Sequence, residues 1–252
     1  MSLVATDAII LHAFDYSETS RILRLATREV GVVSALARGA RRSRTRFGTA
    51  LDLFAQGAAQ LHLKEGRDLQ TLAAFDVAHP RATLAEDLGR FAGAAVLAEL
   101  VLRFATDASQ PELFDSLAEA LDAVALAPED RTREASLAGA WRLVSELGFA
   151  PAVEVCGTCH SALESGTSLM FSNDAGGVLC TRCARLHPGG RSLPSEARGA
   201  IIAWTGGDRV DRLTTPDARA HQRLLREFLQ HHLADGRALR AFDSWERGAW
   251  TA

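Results

Sequence analysis

Four cysteines carry the sharpest chemistry in the chain, and all four fall in one short window. Cys156-Gly-Thr-Cys159 and Cys180-Thr-Arg-Cys183 are two CxxC pairs with twenty residues between them. Two residues between thiolates let one tight turn aim both sulfurs at a single ion. Two such turns complete a tetrahedral four-sulfur site suited to zinc. Redox disulfides and reduced core thiols are the other readings of the same residues. Four thiolates saturate zinc and leave no position for water, so the role expected of the metal is structural. His160 and His187 adjoin the pairs and would serve only if a cysteine were displaced. Arg182 and Arg185 are placed to offset the negative charge of the thiolates.

A second constellation lies between Ala35 and Gly48. It holds Arg38, Arg41, Arg42, Arg44 and Arg46 with no acidic residue among them, and Phe47 closes the run. Each guanidinium is permanently charged and offers a planar fork of donors to paired oxygens, which suits phosphate. A bland reading competes: the chain uses arginine almost to the exclusion of lysine, Lys64 being its only one. Under that reading the run is a solvated connection. Under the first, Phe47 is a candidate surface for base stacking.

Other chemistry is missing. No G-x-x-x-x-G-K-[ST] occurs, and no G-x-G-x-x-G follows a strand-like segment. H-E-x-x-H and G-x-S-x-G are also absent. Carboxylates lie at helix starts and on helix surfaces, where capping and solvation account for them. His231-His232 reads as a polar helix edge. Nothing supports nucleotide hydrolysis or nuclease chemistry.

The elements that must position these groups fall into two classes. Leu3 to Phe14, Arg21 to Thr27, Val30 to Ala37, Ala55 to Leu63 and Leu69 to Val77 are short apolar or alternating segments separated by turn residues. No proline precedes Pro80, which permits central strands. Short strands at this density predict a small barrel or sandwich; an OB-type barrel and an SH3-like barrel both fit the pattern. The arginine run then connects the third strand to the fourth. After His79-Pro80 the period turns helical. Thr83-Leu-Ala-Glu86 has the form of a capping box, and the helix it opens is apolar nearly all round. Ser109-Gln-Pro-Glu112 opens a second helix and Thr132 caps a third that Gly148 ends; the three are expected to form a helical domain. Helical pattern returns at Pro194 to Trp204 and Pro216 to Leu233, with Thr215 as N-cap. Phe242, Trp245 and Trp250 are expected to pack back onto the body. The predicted organisation is a barrel domain over 1–80 and a helical domain over 81–252, with a metal-stapled subdomain at about 151–190.

At 252 residues the chain can bury substantial cores, and its −3 formal charge gives no hint of a polyanionic partner. The distribution is more telling. Residues 1–80 hold ten Lys/Arg against eight Asp/Glu, a net of +2; the remainder holds eighteen against twenty-three, a net of −5. No secretory signal is visible in the first residues, and no apolar stretch is long enough to span a bilayer, so the expectation is a cytoplasmic protein.

The run from Asp15 to Phe54 resembles the N-terminal region of the bacterial RecO family of DNA repair proteins. The resemblance rests on Tyr16 and Glu18 ahead of an apolar strand, and on Thr27 and Gly31 leading into a second. It continues in Ala37-Arg-Gly-Ala-Arg41, Arg46-Phe-Gly48 and Leu51 to Phe54. The cysteine pairs, with Gly176-Gly177 before the second, match as well. Thr19-Ser20 departs from the pattern, since an acidic residue often follows Glu18. The resemblance implies an α+β chain: an N-terminal OB-fold barrel, and a C-terminal α-helical domain with an inserted four-cysteine zinc motif. It implies a recombination mediator and not an enzyme. Such a protein binds single- and double-stranded DNA, anneals complementary strands, and with RecR helps load RecA onto strands coated by single-strand-binding protein. Nucleoid association would follow. A zinc-dependent hydrolase and a zinc-stapled adaptor that binds only proteins are the competing classes.

Overall fold

The computed structural model describes residues 2–40, 47, 51–163, 166, 168–187, 189–208, 210, 213–232 and 238–247. By compactness the chain divides into two units, Met1–Thr132 and Arg133–Ala252.

The first unit is built on five strands: β1 (Ser2–Asp15), β2 (Arg21–Thr27), β3 (Gly31–Ala37), β4 (Gln56–Leu63) and β5 (Leu69–His79). They close into a barrel in the order β1-β2-β3-β5-β4, and β4 returns to pair with β1. All pairings are antiparallel except β3 with β5, where Ser34 to Ala37 run parallel to Leu69 to Leu72. One parallel closure in a five-stranded Greek-key barrel is the OB topology, which decides between the two barrels the sequence allowed. β1 serves both edges by bulging at Leu11, between the pairs Ile10–Leu25 and His12–Arg24. Gly57 marks a close approach to β5, since a Cβ there would stand 2.0 Å from the Asp76 carbonyl oxygen. The barrel core gathers Ile10, Leu23, Leu25, Ala35, Leu61, Leu72 and Phe75.

After the barrel come a single turn, α1 (Thr83–Glu86), then α2 (Leu88–Phe104) and α3 (Pro111–Leu126). The capping role expected of Thr83 belongs to Asp87 instead. Thr83 lies inside α1 and donates its hydroxyl to the Ala125 carbonyl, whereas the Asp87 carboxylate accepts the Arg90 N–H at 2.8 Å. Asp87 has extended backbone, so the chain breaks there and restarts. Being apolar on most sides, α2 packs against both the barrel and α3, and Val96, Leu97, Leu100 and Val101 are buried. Pro111 takes the first position of α3, where a missing N–H costs nothing.

The second unit holds α4 (Thr132–Glu146), a small sheet of β6 (Leu169–Ser172), β7 (Gly177–Leu179) and β8 (Arg191–Leu193), and the helices α5 (Thr181–Ala184), α6 (Ser195–Thr205), α7 (Thr215–His232) and α8 (Arg240–Arg247). Of the helices expected to group with α2, α3 packs on it within the first unit, and α4 falls in the second. Gly148 ends α4 at φ +84°, and the Phe149 and Gly148 amides donate back to the Val144 and Ser145 carbonyls. The cap of α7 is Thr214, one residue before the expected Thr215; its hydroxyl accepts the Asp217 N–H. Phe228 of α7 meets Trp141 of α4 at 6.1 Å and Phe171 of β6 at 5.9 Å, tying the small sheet to the helices. Phe242 and Trp245 pack inward as expected, and Trp250 lies outside the described residues. Among the described residues no helix is long and apolar enough to cross a membrane.

Candidate nucleic-acid interface and metal centre

The two CxxC turns converge. Cys156 and Cys159 sit on a knuckle closed by the Val155–Ala162 bridge and by the His160 N–H donating to the Cys156 carbonyl. Cys180 is the N-cap of α5 and Cys183 lies within its single turn. The β6–β7 hairpin brings the pairs together, with Gly176 at φ +66° in its turn. Gly177 must be glycine because a Cβ would stand 2.2 Å from the Ala152 carbonyl oxygen. The four sulfurs lie within 4.8 Å of one another, and Cys159 Sγ is 3.8 Å from Cys180 Sγ. A tetrahedron with metal–sulfur bonds of about 2.3 Å has sulfurs about 3.8 Å apart, so this donor set fits a zinc-sized ion. Among the described residues the cluster holds only these four; His160 and His187 are exposed and outside it.

The four thiols sit in unlike electrostatic surroundings. Cys159 is held down to about 5, first by a hydrogen bond with the Ser161 hydroxyl at 3.2 Å and then by the Ser161 backbone. Cys183 is pushed up to about 12, chiefly by burial and then by the neighbouring sulfurs. Cys156 is opposed by burial but lowered on balance by backbone donors, including the Cys180 N–H at 3.4 Å. One sulfur ionises readily and another resists. The Arg182 guanidinium is raised by its hydrogen bond and charge contact with Cys159, the compensation the sequence suggested for it.

The arginine run is the connection from β3 to β4, at one end of the barrel. Arg38 is exposed at its start; Arg41, Arg42, Arg44 and Arg46 lie outside the described residues. What holds the run is visible on both sides. The Gly39 N–H donates to Ser20 Oγ at 3.5 Å, linking the outgoing chain to the β1–β2 turn. On the return, Arg21 donates to the Leu51 carbonyl at 3.2 Å and the Phe54 N–H to the Ile10 carbonyl at 2.7 Å. Arg81 donates to the Phe54 carbonyl at 3.0 Å, to Gln56 at 2.8 Å and to Asp122 at 2.6 Å, and is itself buried. Both Phe54 and Arg81 take positive φ, of 68° and 47°, a cost the surrounding bonds offset.

Phe47 corrects the sequence reading. It is 2 % exposed, inside the barrel core with Leu51 and Ala55, and so offers no face to a base. It acts as an internal anchor at the end of the arginine run. Exposed aromatics of the barrel lie elsewhere: Phe14 at the end of β1 and Tyr16 in the turn that follows, 44 % and 62 % exposed. The outward period-two placement of His12 and Phe14 was the signal for them.

The family model described as recombination protein O N terminal matches residues 1–81, and that described as recombination protein O C terminal matches residues 85–240. A protein named DNA repair protein RecO from Anaeromyxobacter sp. (strain K) is 35% identical over 249 residues, 96% of each chain. Those of the same name from Symbiobacterium thermophilum and Thermobifida fusca are 38% identical over 214 residues and 32% identical over 247 residues, covering 82% and 95% of this chain.

Proposed function

The chain belongs to the recombination protein O family of DNA repair proteins, and from that membership we propose a non-catalytic mediator that binds single- and double-stranded DNA and anneals complementary strands. With RecR it helps load RecA onto strands coated by single-strand-binding protein. Such a role fits a cytoplasmic, nucleoid-associated location. The observation that carries the reading is an OB-topology barrel whose β3–β4 connection carries the arginine run in its sequence.

In this reading residues 1–80 form the DNA-binding domain. Arg38, Arg41, Arg42, Arg44 and Arg46 engage phosphate oxygens, hold the backbone and carry no sequence readout. Annealing needs two polyanions brought together, and a dense row of guanidiniums lowers their mutual repulsion. No nucleotide is consumed, in keeping with a chain that has no Walker motif. Cys156, Cys159, Cys180 and Cys183 hold a structural Zn²⁺ that staples the hairpin at about 151–190. Four thiolates fill its tetrahedron, which gives a hydrolytic water no place.

Replacing the five arginines by alanine tests the assignment. If each meets a phosphate, the slope of log affinity against log salt becomes shallower by roughly 3.5 on a single strand and 4.5 on a duplex. An unchanged slope removes DNA contact from this loop.

A further inference from the structure

Beyond the arginine run, the barrel carries a second surface with the character of a nucleic-acid site. Strand register sets it out in two rows. Phe14 pairs with Ile22, and Ile22 with Leu36; His12 pairs with Arg24, and Arg24 with Ser34. The residues between the rows, Leu23 and Ala35, are fully buried. By the alternation of strands, the two rows therefore face outward. Phe14 is 44 % exposed, and its ring lies 4.7 Å from that of His12. Tyr16, the chain's only tyrosine, extends the row at the hairpin tip and is 62 % exposed.

His12, Phe14 and Tyr16 are all exposed, so this end of the strands is open to solvent at those side chains. Helices α2 and α3 meet the barrel at the other end of β2 and β3, around Ala26, Thr27, Gly31 and Val32. Charge favours a polyanion. Arg24 lies in the second row, half-buried, with its Nε buried and without a hydrogen-bond partner among the described residues. Asp15 is ion-paired with Arg21 at 3.3 Å, leaving the exposed Glu18 as the other acid at the tip. The surface also adjoins the start of the β3–β4 connection, where Arg38 is exposed, since Ser20 at the hairpin end holds Gly39. Exposed rings beside a basic loop suit unpaired bases. A duplex keeps its bases stacked on one another and presents no ring faces to a flat platform.

We propose that Phe14 and Tyr16, flanked by His12 and Arg24, form a stacking platform for the bases of single-stranded DNA. This deepens the proposed function and rests on it: the arginine run holds the phosphates, and the platform supplies a preference for unpaired strands. The test compares the wild type with a Phe14→Ala/Tyr16→Ala double variant, on an oligothymidylate of about 20 nucleotides and on a duplex of equal length. Both side chains are substantially exposed, so the fold should survive, and circular dichroism checks that it does. The platform predicts a loss of at least about tenfold in single-strand affinity, with duplex affinity and the salt slopes unchanged. A Phe14→Tyr/Tyr16→Phe variant, which keeps both rings, retains binding. Equal losses on both substrates, or no loss on the single strand, overturn the proposal. Failure of the arginine assignment reads out separately, as a salt slope that the five-arginine variant does not change.

Discussion

Among single residues, the cysteines were the most legible, because ligand geometry is encoded in local spacing. Two thiols two residues apart on a turn converge wherever the turn sits, and the structure brings the four sulfurs within 4.8 Å. Metal analysis should find about one zinc per chain, and Cys183→Ser should lose it and destabilise the small sheet. A full complement of zinc in that variant would contradict the site. Phe47 was not legible, since whether an aromatic in a connection faces water or core depends on where the chain returns. His221 was equally hidden. It is buried in α7 against Trp204 at 4.9 Å, and neither ring nitrogen has a hydrogen-bond partner among the described residues. Burial pushes it down to about 4, against a smaller opposing effect of Asp217. Protonation is therefore easier in the unfolded chain, whose histidine titrates near 6.5. The stabilisation is complete above pH about 6.5 and is lost as the pH falls towards 4, by up to about 3 kcal/mol. Denaturant titrations of His221→Phe should show a shallower decline over that window; an unchanged decline would place the titrating group elsewhere.

At the scale of elements, the strands read well from period-two alternation, and the helix ends less well. Thr83 and Asp87 both precede apolar runs, and Thr214 and Thr215 are adjacent, so propensity could not choose between them. The geometry could: Asp87 and Thr214 receive the N–H groups. Arg81 was passed over because a lone arginine after a proline has no sequence signature. It joins the barrel's return strand to α3 through Phe54, Gln56, Ala118 and Asp122. Arg81→Met should leave these acceptors without their donor and cost about 3 kcal/mol. In a chain of this length that corresponds to a fall of roughly 6–12 °C in the melting temperature of this unit. It should also weaken DNA binding, because the Phe54 end of the arginine connection loses its fastening. A variant of unchanged stability would show the bonds to be incidental.

For the whole molecule, composition gave almost no guide: a formal charge of −3 conceals the basic run in the first third. Nor could local pattern choose an OB barrel over an SH3-like one. The deciding feature is the parallel pairing of β3 with β5, a contact between segments more than thirty residues apart that no short window records. Family membership marks a DNA repair protein, and the proposed role is one that handles DNA without cleaving it. The most direct measurement is the annealing rate of two complementary labelled oligonucleotides, with no nucleotide added. The account predicts that the wild type accelerates annealing and leaves both strands intact. It predicts that replacing Arg38, Arg41, Arg42, Arg44 and Arg46 with alanine abolishes most of that acceleration. Annealing no faster than in buffer, full acceleration by the arginine-free variant, or scission of the strands would contradict it.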